Sequence, residues 1–154
     1  MKKRKHWWVW LFVALYIYFI FRNSMMIADV SSSVSSRFAQ KLSAFLVRFG
    51  LYTDYYVFHH YVRKFAHVCE FAGLGFLVTA AMHICPLFHS RFMNFVLFLF
   101  SVPFADETIQ RYIPGRSSDF NDMMIDGTGF LLGGFVCYVL ILIIRDLFFR
   151  KKTA

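Results

Sequence analysis

Charged residues are scarce in this chain. They make up 17% of its 154 residues, whereas 58% are hydrophobic and the mean hydropathy is +0.52. Ordinary soluble domains carry about 25% charged residues. The composition therefore excludes that class and indicates a small integral membrane protein. The sequence contains no internal repeat and no sign of a second domain, so residues 1–154 form one helical domain.

Cysteine is also rare. Cys69, Cys85 and Cys137 each fall within or beside an apolar run, and no two form a C-x-x-C pair. This pattern excludes a disulfide framework and a thiolate zinc site, and it predicts three small buried hydrophobic side chains. Signatures of serine or cysteine nucleophiles, phosphate loops and nucleotide binding are absent as well. We therefore expect no cofactor and no resident metal.

Acidic residues number nine against 17 basic ones, and the formal net charge is +8. Eight of the 17 basic residues lie at the chain ends, so the middle of the chain is nearly neutral. Positive charge is retained on the cytoplasmic side of a membrane. The distribution thus predicts a membrane protein with both termini in the cytoplasm rather than a nucleic-acid-binding protein. Two inside termini require an even number of spans.

Four apolar runs meet that requirement. We predict spans at about residues 7–26, 61–84, 92–105 and 119–144, the first of them retained rather than cleaved. Residues 36–49 carry an apolar stripe opposite basic side chains, which is typical of an amphipathic helix in the outer interface or of a helix packed over the mouth of a bundle. The predicted fold is an all-α integral membrane protein, a four-transmembrane-helix bundle with an extra amphipathic interfacial helix.

Polar residues recur at helical spacing beside or within three of these spans. Ionisable side chains in lipid are costly and rarely persist without a task or a partner. On the predicted topology they all lie at the outer ends of the spans, so we expect them to converge in one pocket. In chain order they are Arg63, His67 and Glu70, then Asp106, Glu107 and Gln110, then Asp119, Asp122 and Asp126. Gly129-x3-Gly133 predicts that the last span closely approaches a neighbour.

Two motifs are more specific than this spacing. The first is Arg63-Lys64-x2-His67-x2-Glu70-Phe71-x2-Leu74-Gly75, and the second is Asp106-Glu107-x2-Gln110-x3-Pro114-Gly115-Arg116-x2-Asp119 followed by Asp126-x2-Gly129. Together they resemble the VanZ-like family over about residues 22–138. The resemblance implies a multi-span bacterial cell-membrane protein of the envelope, in a family whose namesake is linked to low-level resistance to the glycopeptide teicoplanin. The family has Tyr where this chain has Phe71.

The resemblance supplies no biochemical activity, so the chemistry is inferred from the residues. Arg116 follows Pro114-Gly115 on a predicted turn, and its guanidinium suits a phosphate or carboxylate ligand, or else a carboxylate that holds the spans together. Asp106 and Glu107 are candidates for a general base, a metal ligand or a counter-charge to the cations. His67 is a candidate for catalysis or for a packing hydrogen bond. The candidate ligand-binding residues are Arg63, Lys64, His67, Glu70, Asp106, Glu107, Gln110, Arg116, Asp119 and Asp122; Asp126, deeper in its span, favours a structural partner.

Three functions fit these residues. The leading hypothesis is a protein that binds or remodels an anionic envelope component, a lipid headgroup or a lipid-linked cell-wall precursor, at the outer leaflet, with an effect on glycopeptide susceptibility. One alternative is a membrane enzyme that acts on a lipid headgroup through His67 with Asp106 or Glu107. The other is a structural or regulatory membrane subunit whose polar cluster only holds the bundle together.

Overall fold

The computed structural model describes residues 6–26, 39–49, 54–114 and 119–150. These residues form α1 (Val9–Ser24), α2 (helical at residues 39–47), α3 (Tyr55–Ile84), α4 (Arg91–Arg111) and α5 (Phe120–Arg150). No strand occurs among the described residues. The all-α prediction is therefore confirmed.

Three helices, α3, α4 and α5, are long and apolar enough to cross a membrane. The first helix, α1, is apolar but has only 16 residues. At 1.5 Å per residue it is about 24 Å long, shorter than the hydrocarbon core of about 30 Å. Three of the four predicted spans thus correspond to helices of sufficient length, and a membrane-crossing role for α1 stays a prediction.

The short first helix is nevertheless part of the bundle. The indole N–H of Trp10 donates to the carbonyl of Cys85 at the end of α3, 2.6 Å away, and the Trp10 ring stacks on Phe98 of α4. The buried apolar core takes residues from α1, α3, α4 and α5, including Val9, Val13, Ile20, Phe71, Leu74, Val78, Val102 and Phe130. In lipid, van der Waals packing among these side chains, rather than their removal from water, holds the helices together.

Two parallel helices, α3 and α5, touch backbone to backbone. A Cβ on Gly129 of α5 would lie 2.5 Å from the carbonyl oxygen of Val68 in α3, and a Cβ on Gly133 would collide with the backbone of Ala72. Only residues without a side chain allow this approach. The close packing predicted from Gly129-x3-Gly133 is confirmed.

The helix α3 begins about six residues before the predicted start of its span. The side chain of Asp54 accepts hydrogen bonds from the backbone N–H groups of Tyr56, at 2.8 Å, and Val57, at 3.4 Å. An aspartate at this position satisfies N–H groups that have no partner within the helix. The predicted start is later because the hydropathy pattern detects only the apolar part of the helix. It does not detect the first turn, which is aromatic and capped by Asp54.

The helix α4 continues to Arg111, six residues beyond the predicted end of its span, with Pro103 inside it. This extension puts Asp106, Glu107 and Gln110 on the last turns of the helix rather than in a loop. Because residues three or four apart face the same side of a helix, the extension brings these side chains together on the inner face of the bundle, where all three are buried.

Residues 39–47 are helical, within the predicted amphipathic segment 36–49. The exposed rings of Phe45, in this helix, and Phe49, just after it, lie 5.0 Å apart. Residues 36–38, the beginning of the predicted segment, fall outside the described residues.

The cysteines differ from the prediction in one respect. Cys137 is buried, Cys85 is half-buried and Cys69 is exposed, so the prediction of three buried side chains was wrong for Cys69. This residue shares a face of α3 with Phe65 and Phe76, which are also exposed. In an apolar bundle, small hydrophobic side chains occupy the outer surface as readily as the core.

A buried polar cluster at one end of the bundle

Polar side chains from four helices meet at one end of the bundle. They come from the last turns of α1 and α4 and from the first half of α3 and α5. The buried members are Ser24, Asp106, Glu107, Gln110 and Asp126, and none of them is more than 6% exposed. The convergence expected from the predicted topology is therefore present for Asp106, Glu107, Gln110 and Asp126.

The carboxylate of Asp106 is fixed by two hydrogen bonds. The hydroxyl of Ser24 donates to Oδ1 at 2.5 Å, and the amide of Gln110, one turn further along α4, donates to Oδ2 at 2.7 Å. Hydrogen bonds to an ionised acceptor are among the stronger ones in proteins. Asp106, at 0% exposure, is thereby held in one orientation.

Two pairs of a basic and an acidic side chain join α3 and α5 on successive turns. Lys64 Nζ lies 3.0 Å from Oδ1 of Asp122, and both side chains are partly exposed, at 29% and 28%. One turn deeper, His67 Nδ1 lies 3.5 Å from Oδ1 of Asp126, whose side chain is 1% exposed. The outer pair is accessible to a ligand, whereas the carboxylate of the inner pair is nearly closed off from solvent.

A cavity of about 20 Å³ lies between these pairs and α4. One water molecule requires about 10–15 Å³ by the same measure. The cavity therefore has room for one or two waters, an ion or a single ligand oxygen, and not for an entire headgroup. Its lining residues are Arg63, Lys64, His67, Glu107, Gln110, Asp122, Ile125 and Asp126. Arg63 forms no ion pair with another residue in the described part of the chain.

Three of the buried groups have the chemistry and spacing of metal ligands. His67, Asp106 and Asp126 each offer one ligand atom, and these atoms all lie within 4.8 Å of one another. They come from α3, α4 and α5. From the sequence, His67 was considered together with Asp106 or Glu107, whereas Asp126 was expected to have a structural partner.

Two predicted site residues take other positions. Glu70 accepts a hydrogen bond from Asn23 of α1 at 2.8 Å and does not line the cavity. Asp119 is exposed, immediately before α5, and its backbone N–H donates to Oε2 of Glu107 at 3.2 Å. Hydrogen bonds from the backbone and side chain of Asn121 lower the pKa of Asp119, which is anionic at neutral pH. Arg116 lies outside the described residues.

Sequence reasoning missed the contribution of α1. The helix α1 ends in Arg22, Asn23 and Ser24, and the last two donate to acids of other helices. Three successive polar residues at the end of an apolar run were the available signal. It is a weak one, since such residues are equally common where a helix simply meets water.

An apolar groove lies beside the polar cluster, between α4 and α5. Its volume is about 200 Å³, and its lining residues are Leu99, Phe100, Met123, Met124, Gly127, Thr128 and Leu131. The same turns of α5 that carry Asp122 and Asp126 towards the cavity thus present Met123, Met124 and Gly127 to this groove.

Long apolar helices around a buried polar cluster define a small helical membrane protein with a polar site at one end of its bundle. More specifically, the chain belongs to the VanZ/LLP1 family, whose model matches residues 8–144. The match runs from the beginning of α1 almost to the end of α5 and so includes the entire cluster. Neither a curated protein nor a solved structure was found to be similar to this chain.

Proposed function

We propose that this protein binds or remodels an anionic envelope component, a lipid headgroup or a lipid-linked cell-wall precursor, at the outer leaflet of the bacterial cell membrane, with both termini in the cytoplasm. The observation that carries the proposal is Arg63 at the cavity, with no ion pair to another described residue. A guanidinium in a membrane protein needs a counter-charge, and its planar fork suits phosphate and carboxylate oxygens.

Lys64 adds a second positive charge beside Arg63. Its ion pair with Asp122 is partly exposed, so the ammonium is oriented by the carboxylate and can still contact a ligand. The cavity of about 20 Å³ admits one oxygen of a phosphate or carboxylate, and the remainder of the headgroup lies at its mouth. Arg116, which lies outside the described residues, stays a predicted third cation for such a ligand.

The apolar groove supports a lipid rather than a soluble anion. An acyl chain could lie along Met123, Met124 and Leu131 while its headgroup is held on the other side of the same helix. A ligand with a charged head and an apolar tail fits the two adjacent surfaces better than a free phosphate does.

The test compares how much of two added lipids stays bound to the protein. Wild type is reconstituted with equal amounts of phosphatidylglycerol and phosphatidylcholine, and bound lipids are identified by native mass spectrometry. We expect enrichment of phosphatidylglycerol, its loss in Arg63→Gln and its retention in Arg91→Gln, which removes an exposed cation at the opposite end of the bundle. Equal binding of both lipids by wild type, or an equal loss in both variants, would exclude a headgroup site at Arg63.

A second candidate function is supported by the His67–Asp126 pair. An imidazole beside a buried carboxylate at a cavity is an arrangement that can exchange a proton with a ligand. On this alternative the protein is a membrane enzyme that acts on a lipid headgroup, with Asp126 as the carboxylate partner of His67 in place of the Asp106 or Glu107 expected from the sequence. Labelled envelope lipids incubated with the purified protein should then yield a product that His67→Gln does not form. Binding without turnover would argue against it for the lipids tested.

A further inference from the structure

We propose that His67, Asp106 and Asp126 form a binding site for one divalent transition-metal ion, of the class of Zn²⁺ or Mn²⁺, within the bundle. The three ligands are supplied by α3, α4 and α5, so the ion would join the three long helices. The proposal goes beyond the headgroup site and does not depend on it.

The spacing of the ligand atoms fits a small ion after a modest contraction. They lie within 4.8 Å of one another, so a central point is at most about 2.8 Å from each. Zn²⁺ bonds to imidazole nitrogen and carboxylate oxygen are about 2.0–2.2 Å long. Each atom therefore needs to move inward by about 0.7 Å at most, which small side-chain rotations provide.

The buried state of Asp126 points to an additional partner. The residue is 1% exposed, and within the described structure neither carboxylate oxygen has a hydrogen-bond partner. Its contact with His67, at 3.5 Å, exceeds the usual hydrogen-bond length. A buried carboxylate that lacks hydrogen bonds is costly unless a cation or a proton neutralises it. A metal ion between Asp126, Asp106 and His67 supplies that charge.

The charges of the site balance when the ion is bound. Two carboxylates neutralise a divalent cation, and the imidazole coordinates in its neutral form, so the site has no net charge in a low-dielectric interior. Ser24 and Gln110 hold Asp106 as outer hydrogen-bond partners hold metal-ligating carboxylates elsewhere. Each carboxylate oxygen accepts more than one interaction, so Asp106 can coordinate and retain both bonds.

The ligand types select the class of metal. Ca²⁺ and Mg²⁺ favour oxygen-only sites, and soft ions favour thiolates; the site offers one nitrogen and two oxygens. A mixture of imidazole and carboxylate suits Zn²⁺ or Mn²⁺. The adjacent cavity of about 20 Å³ has room for a water molecule as a fourth ligand.

The test measures metal bound to the full chain after removal of any affinity tag. The protein is purified in detergent, stripped with a chelator, desalted and titrated separately with Zn²⁺ and Mn²⁺, and bound metal is quantified by inductively coupled plasma mass spectrometry. We expect about one equivalent per chain for at least one of the ions, and an affinity weaker by roughly tenfold or more in Asp126→Asn and in His67→Gln. The ion should also raise the melting temperature of wild type and not that of Asp126→Asn.

Asp146→Asn is the matched control, because Asp146 is an exposed aspartate of the same helix, α5, at the end away from the cluster. It should bind the ion as wild type does. Size-exclusion profiles verify that each variant is folded, and if Asp126→Asn is not, His67→Gln decides. The proposal is overturned if wild type binds no more metal than the folded ligand variant, or if Asp146→Asn loses as much. In that event a proton shared between Asp126 and His67 is the better account of the pair.

Discussion

Ser24 and Asp106 are separated by 82 positions in the chain and joined by a hydrogen bond of 2.5 Å. The preceding residue, Asn23, makes a similar bond to Glu70 of α3. The shortest helix of the bundle therefore orients acids on two of the three long ones. This makes α1 a part of the polar site, whether or not it crosses the membrane completely.

Replacing Ser24 with alanine tests that role. The change leaves a buried carboxylate oxygen of Asp106 without this donor, which we expect to lower the free energy of unfolding by about 1–3 kcal/mol. Thermal or denaturant unfolding in detergent measures the effect. Ser43→Ala is the control, because its exposed hydroxyl bonds only to the carbonyl of Gln40 in α2, and its effect should lie within about 0.5 kcal/mol. Equal stability of both variants would mean that α1 is only peripheral to the cluster.

The close contact between α3 and α5 leads to a second prediction, which concerns the stability of two glycine variants. A Cβ at Gly133 meets the backbone of Ala72, whereas a Cβ at Gly127 meets only a side-chain atom of Leu99 at 3.8 Å. We expect Gly133→Ala to destabilise the bundle by about 1–3 kcal/mol, since the helices must separate. Gly127→Ala should be neutral or stabilising, because alanine is favoured over glycine in helices by about 1 kcal/mol. Unfolding of both variants in the same detergent gives the comparison, and a similar loss in each would contradict the close approach.

Local pattern predicted the parts of this fold that depend on residue spacing. Gly129 and Gly133, four residues apart, indicated the tight helix contact. The same periodicity placed His67 near acids of the other helices. Both predictions need only the pitch of a helix and the alternating direction of successive spans, which are properties of the chain itself.

Other features depend on which face of each helix points into the bundle. Residue spacing does not determine how a helix is rotated about its own axis. Glu70 lies only three residues beyond His67 but contacts Asn23 of α1, while Asp126 joins the cavity instead. Cys69 faces outward. In a chain that is 58% hydrophobic, lipid-facing and core-facing residues are similar in type, so the sequence does not distinguish the two faces.

Lys64→Gln separates ligand binding from stability. The Lys64–Asp122 pair is partly exposed, and such pairs contribute about 1 kcal/mol or less, so the melting temperature should change little. Enrichment of phosphatidylglycerol should nevertheless fall, since one cation of the proposed site is lost. Asp122→Asn is the reciprocal change and should bind at least as much of this lipid as wild type. If Lys64→Gln lost stability and retained full enrichment, the cluster would be structural rather than ligand-binding.

The stability that Asp119 contributes at the start of α5 should depend on pH. Hydrogen bonds from Asn121 lower the pKa of Asp119, so its ionised form stabilises the folded chain above the pKa of the unfolded state. That contribution is lost as the pH falls through the folded-state pKa. Wild type should therefore melt higher than Asp119→Asn at neutral pH, and the difference in melting temperature should shrink as the pH falls below the ordinary aspartate pKa of about 3.9. If the difference in melting temperature between wild type and Asp119→Asn does not change as the pH falls, the effect comes from the altered hydrogen bonding of the side chain and not from the loss of its charge.

The orientation of the bundle can be tested at the two ends of α4. Its 21 residues extend about 32 Å, enough to cross the hydrocarbon core, so we expect the exposed residues His89 before it and Tyr112 after it to lie on opposite sides of the membrane. With both termini in the cytoplasm, Tyr112→Cys should react with a membrane-impermeant thiol reagent in intact cells, and His89→Cys only after lysis. The background must lack Cys69, Cys85 and Cys137, because Cys69 is itself exposed. The reverse labelling pattern would place the polar cluster at the cytoplasmic face, where an outer-leaflet ligand could not reach Arg63.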